Sequence, residues 1–162
     1  NLVFDLKWTH LYKWLRTEQD GTQRDFAGTH GNCDVSNCMG TPADRINLGA
    51  TWERQNWRVS VNVNYRAHLD NVLFKHDPDG CATHFADGSD APRGCRIASF
   101  TSVDLTARWL ATPKLEVFAT VQNLFDKIAP LDPLTYGATG YNPLDYAGAA
   151  GRFVSAGVKY KF

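Results

Sequence analysis

The residues with the most distinctive chemistry in this sequence are four cysteines, which occur as two local pairs. The spacings are Cys33-x4-Cys38 and Cys81-x13-Cys95, and each pair lies in a polar segment rich in glycine and aspartate. Proximity favours two local disulfide bonds, which would imply an oxidising compartment such as the periplasm or the cell surface. A metal site is the alternative, although neither spacing matches the tight pairs of zinc knuckles. We therefore expect disulfide bonds and no bound metal.

A second group of reactive side chains lies around the second cysteine pair. Its members are His76, Asp77, Asp79, His84 and Asp87. Binding residues are often carried by loops, so these side chains are candidate ligand contacts. The alternative is a solvated surface loop, because Asp77-Pro-Asp-Gly80 is in the first place a turn signal.

The sequence carries none of the familiar signatures of catalysis or nucleic-acid binding. The five histidines show no H-E-x-x-H spacing, and the sequence contains no G-x-S-x-G elbow and no glycine-rich phosphate loop before a helix. Acidic and basic residues balance at 17 each, so charge indicates no nucleic-acid partner. We expect neither an enzyme nor a cofactor.

The elements that would position these residues are strands. The chain ends on Gly151 to Phe162, where apolar residues alternate with polar or small ones. This period of two places one set on each face of a strand and is typical of outer-membrane barrels, although a single segment is weak evidence. The same alternation predicts six long strands, at about residues 2–15, 45–54, 57–69, 100–110, 115–124 and 151–162.

The connections alternate between long and short. Long loops are predicted at 17–43, 70–98 and 125–150, and short turns at 55–56 and 111–114. Compact soluble domains rarely contain several loops beyond about 15 residues, whereas outer-membrane barrels combine short periplasmic turns with long extracellular loops. The predicted fold class is therefore all-β, an antiparallel up-and-down transmembrane β-barrel segment that spans residues 1–162, with the long loops extracellular.

Both predicted faces carry recognisable side chains. The apolar face holds all five tryptophans, near strand ends, as an interfacial girdle would require, and a soluble core is the alternative. The polar face would line the lumen, where its charges could pair with an interior domain or only hydrate and brace the wall. Its members are Arg58, Asn62, Asn64, Arg66, Asp104, Thr106, Arg108, Glu116 and Gln122.

Three segments carry a family likeness: Phe100-Thr-Ser-Val-Asp-Leu, Leu115 to Lys127, and Gly157-Val-Lys-Tyr-Lys-Phe162. Together they resemble the C-terminal barrel end of TonB-dependent outer-membrane receptors. The sharpest match is similar to the family's penultimate-strand motif and consists of Gln122, Asn123, Leu124, Phe125 and Asp126. The final strand, with Gly157, Tyr160 and Phe162, looks like the recognition signal of the barrel assembly machinery.

The resemblance implies energised uptake of a scarce nutrient, such as a ferric siderophore, through a barrel of about 22 strands closed by a plug. The six strands would supply only the last portion of that barrel, and no plug domain is present in the sequence. The implied partners are outer-membrane lipid, the N-terminal strands and plug of the same receptor, the TonB energy transducer, the barrel assembly machinery and a small-molecule nutrient. The implied location is the outer membrane of a Gram-negative bacterium.

Two other functions remain open at this stage. A passive porin-like barrel of the outer membrane would show the same strands without a plug. A soluble, secreted all-β binding module would use disulfide bonds to stabilise its long recognition loops.

Overall fold

The computed structural model describes residues 1–31, 40–72, 88–89, 96–131 and 140–162, which form mainly β-strands. The strands are β1 (Leu2–His10), β2 (Leu15–Thr17), β3 (Gln23–Asp25), β4 (Thr29–His30), β5 (Asp44–Arg54), β6 (Trp57–Arg66), β7 (Leu69–Asn71), β8 (Arg96–Ile97), β9 (Phe100–Thr112), β10 (Leu115–Gln122) and β11 (Phe153–Tyr160). The six longest strands form one antiparallel sheet in the order β1-β5-β6-β9-β10-β11. Each of these strands pairs with the next one along the chain, which confirms the predicted all-β, up-and-down fold.

The two ends of this sheet differ in their connections. At one end, called the turn end here, Gln55-Asn56 joins β5 to β6 and Pro113-Lys114 joins β9 to β10. In the first turn Gln55 adopts a left-handed backbone conformation, with φ 52°. In the second turn, which contains Pro113, a bulge shifts the register beside Leu115. At the other end, called the loop end, lie the three long connections.

The long connections contain secondary structure that the sequence patterns did not predict. Strands β2 and β3 form a small hairpin, and β4, β7 and β8 form a three-stranded sheet in which β4 and β7 are parallel. A 3₁₀ turn (Pro143–Asp145) and a short helix, α1 (Tyr146–Ala150), precede the final strand. Asn142 caps this segment, because its side-chain oxygen accepts a hydrogen bond of 2.9 Å from the Leu144 amide.

Two strands end three or more residues earlier than the alternation of their residues predicts. The sequence predicts a first strand to residue 15, but β1 stops at His10, which is opposite Asp44, the first residue of β5. Beyond that pair β1 has no partner in the sheet, so the chain leaves it. Likewise β6 stops at Arg66, and Leu69–Asn71 joins the small sheet with β4 and β8 instead.

The register places most apolar side chains of the six strands on one face. Val61, for example, lies opposite Ala50 on one neighbour and Leu105 on the other, and Leu105 lies opposite Val121. Side chains of the central strands on this face are half-buried by their neighbours, whereas those of the edge strands are exposed, Leu6 to 67%. Within the described residues no element covers this face, as is expected of a barrel wall that faces lipid.

The tryptophans divide between this face and the loop end. The rings of Trp57 and Trp109 stack at 5.7 Å on the apolar face beside the short turns, as a girdle requires. Trp14 was predicted to share that face, but it lies outside the sheet and packs against Phe26 at 6.2 Å. The prediction was wrong for Trp14 because the strand that would have carried it ends at His10.

Candidate functional site

The polar face of the sheet carries aligned rows of hydrogen-bonding side chains. Going from the loop end to the turn end, successive cross-strand rows on β5, β6 and β9 are Arg45/Arg66/Phe100, Asn47/Asn64/Ser102, Gly49/Asn62/Asp104, Thr51/Ser60/Thr106 and Glu53/Arg58/Arg108. This order follows from the period of two in each strand and from a register that places the polar residues of one strand opposite those of the next. The face that would line a barrel lumen is therefore mostly polar.

An ion pair buried near the loop end fixes the last long connection to this face. The Arg66 Nε donates to Asp145 Oδ1 at 2.6 Å, and a second nitrogen of the guanidinium contacts Asp145 Oδ2. The Arg66 Nη1 donates to the carbonyl oxygens of Ala67 (2.9 Å) and Ala98 (2.8 Å). Both side chains are buried, Asp145 completely. Arginine's planar fork thus satisfies a carboxylate and two carbonyls from one position.

Asn123 forms a second anchor just after β10. Its backbone, at φ 49°, is left-handed, and its amide donates to Asp104 Oδ1 at 2.9 Å. Its side chain donates to the carbonyl oxygens of Lys127 and Ala147 at 3.0 and 3.1 Å and accepts from the Lys127 amide at 2.9 Å. Asn123 therefore joins the wall, the turn that follows β10 and helix α1.

The other residues of the predicted family motif have structural places around this anchor. Gln122 ends β10, the Leu124 amide donates to the Val103 carbonyl at 2.7 Å, and Phe125 is exposed. Asp126, left-handed at φ 51°, accepts a hydrogen bond from the Arg152 amide at 2.8 Å. The motif thus ties both ends of the last long connection to the sheet.

A concavity of about 370 Å³ lies between the wall and that connection. An amide chain crosses its floor: Asn47 Nδ2 donates to Asn64 Oδ1 at 2.7 Å, and Asn64 Nδ2 donates to Asp104 Oδ2 at 3.0 Å. Arg45 is exposed and sits directly opposite Arg66. The lining residues are Arg45, Asn47, Asn64, Tyr65, Arg66, Phe100, Ser102, Asp104, Gln122, Leu144, Tyr146 and Ala147. We call this concavity the upper pocket.

The upper pocket can bind a polar ligand that carries an anionic group. The charge of Arg66 is neutralised by Asp145, and Asp104 already accepts two hydrogen bonds. Arg45 therefore offers a guanidinium to a ligand, and the exposed ring of Tyr146 offers an apolar surface on the opposite wall. Neither Arg45 nor Tyr146 was singled out from the sequence, although Asn142-Pro143 is a helix-start signal that could have placed Tyr146.

The described parts of the long connections share one buried core. Phe26, Leu69, Ile97 and Phe100 are at most 5% exposed, and they come from three separate stretches of the chain. Helix α1 packs closely there, because a Cβ on Gly148 would lie 2.6 Å from the Phe100 ring. The described parts of the long connections are therefore a folded cap.

Several predicted site residues lie outside the described residues. They are the cysteines Cys33, Cys38, Cys81 and Cys95 and the loop candidates His76, Asp77, Asp79, His84 and Asp87. Of the predicted assembly signal, Gly157 lies under the ring of Phe118 on the polar face, and the rings of Tyr160 and Phe162 meet edge to face at 5.4 Å.

Across the described ranges, no cluster of three or more histidine, cysteine or carboxylate side chains could hold a metal ion. No helix in the described part of the chain is both long and apolar enough to cross a membrane.

A strongly exposed apolar face, a mostly polar opposite face and long connections at one end define the wall of a β-barrel. The TonB dependent receptor-like β-barrel family matches residues 1–124, and the chain belongs to this family. No curated protein matches the chain.

Three solved structures share the fold at low sequence identity. The copper transporter OprC is 16% identical with a TM-score of 0.51, and the match covers 100% of this chain and 20% of that one. The siderophore receptor PiuA from Acinetobacter baumannii is 14% identical with a TM-score of 0.53, covering 99% and 20%. The ferric-catecholate import receptor Fiu from E. coli K12 is 16% identical with a TM-score of 0.50, covering 99% and 25%. The chain therefore spans a fifth to a quarter of the length of these structures.

Proposed function

We propose that the chain is the C-terminal barrel portion of a longer receptor, called the parent here, that imports a scarce nutrient across the outer membrane of a Gram-negative bacterium. Membership of the TonB-dependent receptor family supports a transporter and not an enzyme. The share of the solved receptors that the chain covers supports a longer parent. The observation that carries the proposal is the upper pocket, a polar recess on the lumenal side of a wall of this family.

The sidedness follows from the connections. Short periplasmic turns and long extracellular loops are the habit of such barrels, so the turn end would face the periplasm and the loop end the cell surface. The folded cap and the upper pocket would then lie at the outer mouth, where an incoming ligand arrives first. The predicted loop disulfides, Cys33 with Cys38 and Cys81 with Cys95, would be at the surface, and the His76 to Asp87 candidates would lie beside them.

The ligand would be an anionic metal chelate, such as a ferric siderophore. PiuA is a siderophore receptor and Fiu a ferric-catecholate receptor, whereas OprC transports copper. Arg45 provides the charge for an anionic chelate, because guanidinium groups bind carboxylate-like oxygens through two parallel hydrogen bonds. The two neighbouring amides, Asn47 and Asn64, would orient it.

The parent would need partners that this chain does not contain. They are the preceding barrel strands, a plug domain inside the barrel, the TonB energy transducer in the periplasm and the barrel assembly machinery. The share of this chain in transport is to complete the wall and to form part of the outer mouth.

Uptake measurements in a strain that lacks the parent gene test the proposal. Complementation with the parent should restore uptake of a labelled ferric catecholate, and deletion of TonB should abolish it. Arg45→Gln should weaken binding by a factor of about ten to a hundred, since a hydrogen bond to a charged group is worth about 1.5–3 kcal/mol. Lys159→Gln, on the same face at the turn end, is the control and should have no effect. Uptake that persists without TonB would indicate a passive porin, and a parent that stays in solution without detergent would indicate a secreted binding module.

The final strand would also act in assembly. Deletion of Phe162 should lower the amount of parent in the outer membrane, because the terminal aromatic residue would be read by the assembly machinery. Surface labelling of intact cells measures this amount, with Phe153→Leu at the start of the same strand as a control. Unchanged surface levels after the deletion would remove the assembly role.

A further inference from the structure

One cation lies on the otherwise apolar face, close to the turn end. Arg54 ends β5 and is directly opposite Trp57 on β6, which is in turn opposite Trp109 on β9. In the six described strands of the main sheet, no other lysine or arginine lies in the register of this face. A charge on the lipid side of a barrel wall is costly at the bilayer midplane but costs little at the interface. Arg54 therefore marks the level of the lipid headgroups.

The charge of Arg54 is available to a ligand. The adjacent Glu53 lies on the opposite face and pairs with Arg58, with Glu53 Oε1 2.7 Å from Arg58 Nε. Among the described residues no carboxylate forms an ion pair with Arg54, and its side chain is exposed. Because arginine stays charged at any physiological pH, the site calls for an anion from outside the described residues.

The two tryptophans beside Arg54 form a well-defined surface. Their rings stack with centroids 5.7 Å apart and planes inclined by 15°, and they are 46% and 41% exposed. The turn before Trp57 is held against β9, because the Leu110 amide donates to the Asn56 carbonyl at 2.9 Å. Among the described tryptophans only Trp8 donates its indole N–H to another side chain. The row therefore offers one guanidinium and two indole donors side by side.

The surroundings of this row select the occupant. The next row toward the loop end is apolar and consists of Trp52, Val59 and Ala107. An anion without apolar chains would leave that surface uncovered, whereas a phospholipid can place its phosphate on the guanidinium and its acyl chains on the apolar rows. A zwitterionic headgroup carries its own ammonium group, so a single protein cation favours a headgroup with a net negative charge.

We infer that Arg54, Trp57 and Trp109 form a binding site for one anionic phospholipid, in the leaflet at the turn end. The inference goes beyond the proposed function, because it requires that the wall lies in a membrane but requires no plug, energy transducer or nutrient. The bound headgroup would hold the short turn between β5 and β6 at the membrane interface. It would thereby fix how deeply this part of the wall sits in the bilayer.

Native mass spectrometry of the purified parent tests the inference, with phosphatidylglycerol or phosphatidylethanolamine added to the detergent solution. The wild-type parent should bind one phosphatidylglycerol about fivefold more tightly than the Arg54→Gln variant, as expected for one arginine near an anionic lipid surface. Binding of phosphatidylethanolamine should change much less. Arg58→Gln is the matched control, because Arg58 lies beside the same turn but in the register of the polar face, and this variant should bind phosphatidylglycerol like the wild type.

Two further variants separate the contributions of charge and hydrogen bonding. If Arg54→Gln does not assemble, Arg54→Lys, which keeps the charge but loses the planar fork, should keep part of the preference for phosphatidylglycerol. Trp57→Phe with Trp109→Phe keeps two aromatic rings but removes both indole donors, and it should also weaken the binding of phosphatidylglycerol.

Two results would overturn the inference. One is equal affinity of the wild-type parent and the Arg54→Gln variant for phosphatidylglycerol. The other is displacement of bound phosphatidylglycerol by inorganic phosphate at the same concentration, because the site would then take a free anion. A parent that stays in solution without detergent would instead contradict the proposed function.

Discussion

At the scale of single residues, the contact that defines the candidate site is the buried pair between Arg66 and Asp145. Removing both charges from water is costly, and such pairs often contribute little net stability compared with apolar residues of similar volume. Removing one partner has a larger effect on stability, since it leaves a buried charge without a counterion. The pair therefore specifies where the last long connection sits against the wall more than it stabilises the wall itself.

Replacement of Asp145 by asparagine should destabilise the parent strongly. We expect a loss of about 3–5 kcal/mol, because the Arg66 charge stays buried and loses its partner. Denaturant unfolding of the parent refolded in micelles measures the loss, and limited proteolysis should show earlier cleavage near residues 140–150. The control is Glu53→Gln, which breaks a pair whose side chains are 55% and 40% exposed and should cost about 1 kcal/mol or less. Equal effects of the two variants would contradict the structural role assigned to the buried pair.

Gly157 has a steric reason to be glycine in the closing strand. A Cβ at this position would lie 2.5 Å from Phe118 Cζ on the neighbouring strand, so the aromatic ring occupies the space above it. Gly157→Val should therefore destabilise the parent by about 1–3 kcal/mol through overpacking. Adding Phe118→Ala should recover part of that loss, and Ala156→Val, on the apolar face, should be tolerated. A Gly157→Val variant with unchanged unfolding would show that the ring moves aside at no cost.

At the scale of elements, the sequence predicts strands better than it predicts connections. Alternation identified six long strands and their faces because a period of two survives wherever one side of a strand is apolar and the other polar. It failed at residues 11–15 and 67–69, where the pattern continues but the neighbouring strand does not. Pairing partners decide where a strand ends, and a single segment contains no information about them.

The structure of the long connections was harder to predict from the sequence, for a related reason. Strands β4, β7 and β8 have two or three residues each, too few for any periodicity, and they form only because β7 pairs with strands from distant parts of the chain. The upper pocket likewise depends on the docking of helix α1 through Asn123 and Asp145. The sequence showed the motif Gln122 to Asp126 as a family likeness, but the task of each residue in it became visible only in the folded chain.

The two faces of β6 give a direct test of which side meets lipid. Val61 lies in the apolar row and Asn62 in the polar one. Val61→Arg should cost about 2–4 kcal/mol if the site is near the bilayer midplane, whereas Asn62→Arg should cost much less because it points to the lumen. Unfolding of the parent in lipid vesicles measures both. A larger cost for Asn62→Arg would reverse the assigned faces.

At the scale of the whole molecule, the sheet is open. Strand β1 pairs only with β5 and strand β11 only with β10, so each has one edge without a partner in the described sheet. Unpaired backbone groups cost several kcal/mol each in hydrocarbon, which is why membrane-spanning sheets close into barrels. The exposed apolar face is stable only against lipid. The open edges are unstable in lipid unless further strands pair with β1 and β11 and close the barrel.

The chain on its own should therefore fail to insert into a bilayer, and coexpression with the rest of the parent should rescue it. We expect residues 1–162 alone to be extracted from membranes by urea and to be fully digested by protease. Together with the preceding strands, expressed as a separate chain, they should resist both treatments, because β1 and β11 then find partners. The intact parent is the positive control, and the same coexpression with Val61→Arg should recover less. A chain that inserts alone and resists protease would be a small complete barrel, with β1 and β11 paired to each other or to a second copy.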